Sequence, residues 1–480
     1  GYSASDSGFR SNGDDGIDND GDGVSDAREQ ADGTDACDAG SFQLHLQSPA
    51  FTKYNTFLRQ WNFLELIASG TKPIQAKVSV YLLSGVVLAT RDIYIDAQKQ
   101  VDVDINAMIS TACAQSSYCA DLRDIDHSGV VDTYGLVRID FNDDDAGAVL
   151  TGRMSNYRQD RDGNFSFAFA KELRNPTRGI THATSNTYDP QAMGYLVPNW
   201  LEVINLDSVA RVFQYNLYDQ EGRKVLTRSF ALPALGEWDI QAGHEIVGIS
   251  GKVIESVYLT EIIPLDGATK YFATVSRYSS NAKAGVEPDT YNFAFALDGR
   301  AGNGATQYVT ISNAVGARYL QTNWVEVVNT LPRPVTATLT FRGFDGKTLN
   351  TVSQLINAKA QFHFNAGALL PKGESGSVEL NCSDRGALIA QSLVYYHDNQ
   401  KNKVQTAYAS QGRIAGRDVQ AGSINTFLGM TDQVKLLSTT QGAVTVVAEL
   451  RTFEANAQVK TTTIRLNGLA AAAASTATGS

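Results

Sequence analysis

One six-residue pattern occurs three times along the chain and limits what it can fold into. It reads Asn62-Phe-Leu-Glu-Leu-Ile, Asn199-Trp-Leu-Glu-Val-Ile and Asn323-Trp-Val-Glu-Val-Val. A second motif closes each copy: Phe167-Ala-Phe-Ala-Lys-Glu-Leu-Arg174, Phe293-Ala-Phe-Ala-Leu-Asp-Gly-Arg300 and Thr406-Ala-Tyr-Ala-Ser-Gln-Gly-Arg413. Paired motifs at such intervals mean one structural unit repeated in tandem. Within a copy the period is two. Phe213, Tyr215 and Leu217 alternate with polar neighbours, as do Ala337, Leu339 and Phe341. Asp/Gly turns follow, at Asp219-Gln-Glu-Gly222 and Phe344-Asp-Gly-Lys347. Alternation ending in such turns predicts half-buried antiparallel strands.

A unit of roughly 90–115 residues with many short strands is the size of a β-sandwich. The expected fold is therefore all-β, with tandem antiparallel sandwiches over residues 41–180, 181–300 and 301–412. A helix is expected only near Ile105–Ala114, and the run Val78–Ala89 reads as a hairpin. A fourth copy opens at Asn425-Thr-Phe-Leu and keeps only its first half, with strands at Val444–Leu450 and Thr461–Leu466. Residues 413–480 are thus expected to form a partial sandwich with a low-complexity tail. Trp200, Trp324 and the Phe-Ala-Phe-Ala strands are expected in sandwich cores, since aromatic stripes at period two usually pack there. Arg174, Arg300 and Arg413 are expected at strand ends or between domains.

Charge sets the first 40 residues apart. The 480-residue chain has a formal net charge of -11, and residues 1–40 hold ten Asp and one Glu against Arg10 and Arg28. A protein this acidic repels phosphate, so nucleic-acid binding is not expected. The acidic residues are in register. From Asp18, oxygen ligands fall at positions 1, 3, 5, 9 and 12 as Asp18, Asp20, Asp22, Asp26 and Glu29, with Gly23 at position 6 and the Val24 carbonyl at position 7. Calcium takes six to eight hard oxygens, and this spacing wraps them around one ion.

The stretch from Asp14 to Asp26, with Glu29 and Gly33-Thr-Asp35, resembles a thrombospondin type 3 calcium repeat in its bacterial form. The resemblance covers residues 12–38. It implies a secreted segment that folds around calcium, with Asp18, Asp20, Asp22, Asp26 and Glu29 as ligands and Asp14, Asp15, Asp32 and Asp35 available to an adjoining ion. The family's usual proline after Gly-Thr-Asp is Ala36 here.

A second loop, Asp124-Ile-Asp126-His-Ser128-Gly-Val130-Val-Asp132, fits positions 1, 3, 5, 7 and 9 of the same scheme and resembles a dockerin-like calcium loop. Position 12 is Gly135, so Asp121, Asp140 or a water is expected to complete the shell.

The four cysteines, Cys37, Cys113, Cys119 and Cys382, include no Cys-x-x-Cys pair, which favours disulfides and an oxidising compartment. A Cys113–Cys119 bridge is expected. No apolar run reaches the roughly 20 residues that span a bilayer. The six histidines form no zinc-type pair, and no nucleophile elbow, phosphate loop or dinucleotide fingerprint is present. The expected role is non-enzymatic: a secreted, calcium-binding structural protein of the cell surface, self-associating as a filament or sheath subunit. The tandem sandwiches resemble those of bacterial extracellular fibres and adhesins. The alternatives are a glycan-binding adhesin, with Tyr188, Tyr291 and Trp238 as exposed aromatics, and a secreted hydrolase whose groups meet only in the fold. Assembly is expected to place residues 1–60 of one copy on residues 413–480 of the next.

Overall fold

The computed structural model describes residues 46–143, 147–160, 162–188, 197–280, 291–302, 306–313, 319–382, 384, 386–398, 404–414, 422–424, 433–439, 443–452, 459–466 and 474–478. All of them belong to one compact unit, His45–Ser480. The acidic segment, Cys37, residues 41–45 and the opening at Asn425 lie outside them.

The protein is all-β. The first sandwich comprises β1 (Ala50–Asn55), β2 (Gln60–Ala68), β3 (Ile74–Tyr81), β4 (Val87–Ile95), β5 (Gln100–Asp104), β6 (Tyr134–Phe141), β7 (Leu150–Gln159) and β8 (Phe165–Glu172). The second comprises β9 (Thr181–Asn186), β10 (Asn199–Asn205), β11 (Arg211–Tyr218), β12 (Lys224–Leu232), β13 (Glu237–Gln241), β14 (Val257–Pro264), β15 (Tyr271–Ser280) and β16 (Tyr291–Asp298). The third comprises β17 (Gln307–Ser312), β18 (Tyr319–Asn329), β19 (Val335–Arg342), β20 (Thr348–Ile356), β21 (Gln361–Asn365), β22 (Ser375–Cys382), β23 (Leu388–Asp398) and β24 (Val404–Gln411). Numbered within each unit, all three have one sheet ordered 1-6-3-4 and another ordered 5-2-7-8, every pairing antiparallel. Each pair of sheets encloses its own core, such as Leu64, Val78, Ile139 and Met154 in the first. The helix α1 (Ile105–Cys113) follows β5, capped by Asp104, whose carboxylate accepts from the Ala107 amide at 2.9 Å.

Further on, β25 (Gln433–Leu437), β26 (Val444–Arg451), β27 (Val459–Leu466) and β28 (Ala474–Thr478) form two hairpin-like pairs, β26 with β27 and β25 with β28. Part of the tail expected to be low-complexity is therefore a strand. At the start, Ala50–Asn55 pair with β6 of their own sandwich, so the expected contact of residues 1–60 with another copy would have to be made by the residues before them.

The motif residues have separable tasks. The opening Asn staples the end of strand 1: Asn62 accepts from the Asn55 amide at 3.0 Å, Asn199 from Asn186 at 3.0 Å, and Asn323 from Ser312 at 2.8 Å. The motif Glu joins neighbouring sandwiches. Glu202 pairs with Lys53 of the first sandwich at 3.0 Å, and both side chains are fully buried. Glu326 accepts from Thr184 of the second at 3.0 Å. Lys53 and Thr184 hold the same place, the fourth residue of strand 1. Glu65, with no sandwich before it among the described residues, is satisfied within its own sheet by Arg153 at 2.7 Å and Ser155 at 2.6 Å.

The closing strand works as knobs and holes, not as the sandwich core expected from its sequence. Phe167 and Phe169 pack on Tyr278, Tyr291, Ala294 and Trp200 of the second sandwich. Phe293, Phe295 and Leu297 pack on Leu393, Tyr395, Val404 and Ala407 of the third. Aromatic residues face the next unit, and the alternating alanines admit those of the previous one. Glycines complete the junctions. A Cβ on Gly85 (φ 80°) would lie 1.9 Å from the Ala234 carbonyl, and one on Gly222 (φ 86°) 2.0 Å from that of Ala358. Left-handed φ and close backbone approach together admit only glycine there. The repeated arginines bridge their backbones to Phe51, His182 and Tyr308 of strand 1. Their side chains pass from unit to unit: Arg174 to Asp298 at 3.1 Å, Arg300 to the Gly412 carbonyl at 3.0 Å, and Arg413 back to Glu172 at an exposed corner, 2.5 Å.

Glu261 closes the second junction, taking hydrogen bonds from Lys359, Asn216 and Tyr218 and contacting His182. Burial opposes its ionisation, but the bonds from His182, Lys359 and Asn216 outweigh that and hold the carboxyl far below its usual value. A carboxyl depressed in the fold stabilises it fully above the unfolded pKa, about 4.3, and that stabilisation is lost as pH falls below this. Acid titration followed by calorimetry should therefore show the junction weakening below about pH 4, and Glu261→Gln should flatten that dependence.

Candidate metal centre

The Asp124–Asp132 loop lies between α1 and β6 of the first sandwich; the other two units lack it. Two features anchor its ends. Cys113 and Cys119 form a disulfide just before it. At the far end the Val130 side chain is buried in the core. Cys382 is a free, half-buried thiol.

Carboxylate oxygens of Asp124, Asp126 and Asp132 lie within 4.8 Å of one another. Asp124 accepts from the amides of Ser128 and Gly129, both at 2.8 Å. Asp126 accepts from the Arg59 amide at 2.5 Å. Ser128 donates its hydroxyl to the Val130 carbonyl at 3.1 Å. Asp132 takes one oxygen to the Ile125 amide at 2.5 Å, while its Oδ1 is buried with no hydrogen-bond partner. Burial, with the Asp126 charge adding to it, pushes the Asp132 carboxyl up to about 6. Burial also acts against Asp124, but the Gly129 and Ser128 amides override it and lower that carboxyl.

The residues fit a hard divalent cation. Three carboxylates converge, one buried oxygen has no partner, and a hydroxyl and a carbonyl sit beside them. Asp124, Asp126, Ser128, the Val130 carbonyl and Asp132 would hold the ion, as the spacing led one to expect. Of the three expected completions of the shell, Asp121, Asp140 or a water, the two carboxylates are not in the cluster. Asp140 is bound by Arg138 along β6 at 2.6–3.0 Å, and Asp121 is not part of the cluster. An acid at position 12 is impossible for a packing reason: a Cβ on Gly135 would stand 2.1 Å from the Tyr81 carbonyl. Water would have to complete such a shell, and a calcium ion held so would bind weakly, with Kd of about 10⁻⁴–10⁻³ M. In a chain lacking residues 1–40, millimolar calcium should raise the melting temperature, and Asp132→Ala should abolish that rise. A rise that persists would move the ion elsewhere.

The first expected site, Asp18, Asp20, Asp22, Val24, Asp26 and Glu29, lies outside the described residues. The other aromatics singled out from sequence divide. Tyr188 is 46% exposed, Tyr291 is buried in the first junction, and Trp238 packs edge-on against Phe230 at 4.7 Å. Sequence reasoning missed the buried charge cluster of Lys53, Lys171, Glu202, Glu237 and Asp239, whose members come from two sandwiches. The recurrence of the motif Glu was its only signal.

No family model matches the chain, and no curated protein matches it. Among solved structures it is similar to β-glucuronidase 2 of Bacteroides uniformis covalently bound to cyclophellitol-6-carboxylate aziridine. The identity is 11% over 55% of this chain and 28% of that one, with a TM-score of 0.11. The CupB6 tip adhesin of Pseudomonas aeruginosa is similar at 10% identity, over 56% of this chain and 91% of that one, with a TM-score of 0.10. This chain thus spans under a third of the glucuronidase's length. At these TM-scores neither likeness carries an argument about function. Among the described residues, no helix is long and apolar enough to cross a membrane.

Proposed function

We propose that this chain is a calcium-stabilised structural protein acting outside the cell, the subunit of a filament or sheath, with no catalytic role. One observation carries this reading: the junction between sandwiches is one-way and is used twice. The 1-6-3-4 sheet and closing aromatics of one unit meet the 5-2-7-8 sheet and alanines of the next. Ala294 and Ala407 are buried by that contact, whereas Ala168, at the same place in the first sandwich, is exposed, as is Ala170. Lys435 reaches the Tyr408 hydroxyl at 3.1 Å and Arg451 reaches Gln98 at 2.7 Å. Among the described residues, neither of these exposed contacts reaches the first sandwich's alanine face. A one-way contact between copies does not close on itself and grows open polymers.

The Asp124–Asp132 loop and the disulfide support an extracellular, calcium-containing setting. Electron microscopy of the purified protein, with and without chelator, tests the reading. Filaments that shorten or vanish on chelation are expected. Ala168→Glu/Ala170→Glu should block them while leaving the thermal transition in place. Monodisperse single particles under all calcium conditions would refute the filament.

A further inference from the structure

The two junctions are built from equivalent residues but are not equally filled. In the first, Trp200 packs with Phe167, Phe169, Tyr278 and Tyr291, and the Arg158 guanidinium lies 4.7 Å over the Tyr291 ring. Tyr291 opens β16; the matching first residue of β24 is Val404. A cavity of about 390 Å³ lies between the second and third sandwiches, lined by Arg277, Trp324, Tyr188, Thr322 and His397 among others. Trp324, at the place of Trp200, is 39% exposed at this cavity. The volume falls in the range of small-molecule sites, roughly 300–1,000 Å³.

Two buried polar atoms of the cavity, Arg277 Nη2 and His397 Nδ1, have no hydrogen-bond partner. Arg277 is 1% exposed. Its Nε donates to Asn199 at 3.1 Å and its Nη1 to the Tyr395 hydroxyl at a long 3.5 Å, while Nη2 has no hydrogen-bond partner. Its guanidinium forms no ion pair among the described residues, and its cationic face stacks 5.2 Å over Phe295. Glu326, also in the cavity, gives Oε2 to Thr184 and Gln391 instead. His397 accepts from or donates to Thr322 at 3.2 Å, and its buried Nδ1 has no partner. Burial holds the His397 imidazole below its usual value, so it meets a ligand as a neutral hydrogen-bonding group. The Glu326 charge reaches Arg277 through space without a hydrogen bond between them, so the buried Nη2 donor stays open, and a carboxylate oxygen is the acceptor that bonds most strongly to it. Beside it, the half-open faces of Trp324 and Tyr188 suit a flat ring whose other groups are hydroxyls.

We propose that this cavity binds a saccharide bearing a carboxylate, with the carboxylate on Arg277, the ring on Trp324 and hydroxyls toward His397 and Thr322. The proposal deepens the adhesin alternative raised by the sequence and does not depend on filament formation.

The test is equilibrium binding to the full chain in calcium, read by tryptophan fluorescence and calorimetry. The probes are a hexuronate trisaccharide, the neutral hexose trisaccharide of the same linkage, and acetate. The uronate should bind at least about tenfold more tightly than the neutral sugar, the size of one charge-assisted contact. Arg277→Gln should remove that preference. Trp324→Ala, a change at a half-exposed rim position that leaves the fold intact, should weaken uronate binding about fivefold or more. Equal binding of uronate and neutral sugar overturns the proposal, as does no uronate binding. Acetate binding as tight as the uronate reduces the site to a bare carboxylate hole and overturns the sugar. Wild-type uronate affinity in Trp324→Ala overturns it even if Arg277→Gln fails to fold.

Discussion

Lys53→Met should be the most damaging single substitution in the first junction, costing about 3–5 kcal/mol. The Lys53 ammonium is fully buried among Glu202 at 3.0 Å, Asp239 at 3.5 Å and Glu237, to which it donates a short hydrogen bond. Burial alone would deprotonate it, but the charges of Asp239, Glu202 and Glu237 prevail and raise its pKa. Removing it leaves three carboxyls with only Lys171, 3.5 Å from Glu202, as counter-charge. Burial and the neighbouring acids already push Glu237 up, so part of the lost charge balance returns as proton uptake there. Calorimetry should show the first sandwich melting apart from the other two in Lys53→Met, where the wild type melts them together. Adding Glu202→Gln should recover part of the loss, because the cost comes from unpaired charge and not from lost volume. A Lys53→Met protein melting within about 1 kcal/mol of wild type would mean that the cluster carries little of the junction.

Chelation should have the second large effect, on residues 12–38. That segment combines most of the chain's net negative charge with a ligand register and few apolar residues. If that register holds calcium, the ion would supply the folding energy of the stretch, since binding energy becomes folding energy when no site pre-exists. With EDTA, limited proteolysis should cut between Asp14 and Asp38 at least about tenfold faster, while the three sandwiches stay whole. Asp22→Ala should raise the calcium needed for protection more than Asp6→Ala, which lies outside the loop. Equal cleavage with and without calcium would remove the segment from the list of ion sites.

Much of the architecture is legible in the residues. Period-two alternation with Asp/Gly turns specifies half-buried antiparallel strands wherever it occurs, which is why the hairpins β3–β4, β11–β12 and β19–β20 lie where the pattern put them. The helix at Ile105–Cys113 and the Cys113–Cys119 bridge are local too, as is the cluster of Asp124, Asp126 and Asp132, because spacing within a dozen residues dictates them. What the pattern does not carry is the identity of the covering surface. Alternation says that Phe293 and Ala294 point to opposite sides, and the expectation followed that the aromatics fill a sandwich core. Only the tertiary structure makes them an interlocking face between sandwiches. The same limit hid Lys53 and Arg277. A lysine in a strand and an arginine in a strand look like ordinary surface residues until the next sandwich buries them. The groups that then confront them, Glu202 and Tyr395, are more than a hundred residues away. Local chemistry is written in adjacent residues. The charge of a junction and the shape of a cavity are set by how the surfaces of two sandwiches meet, and no run of adjacent residues records that.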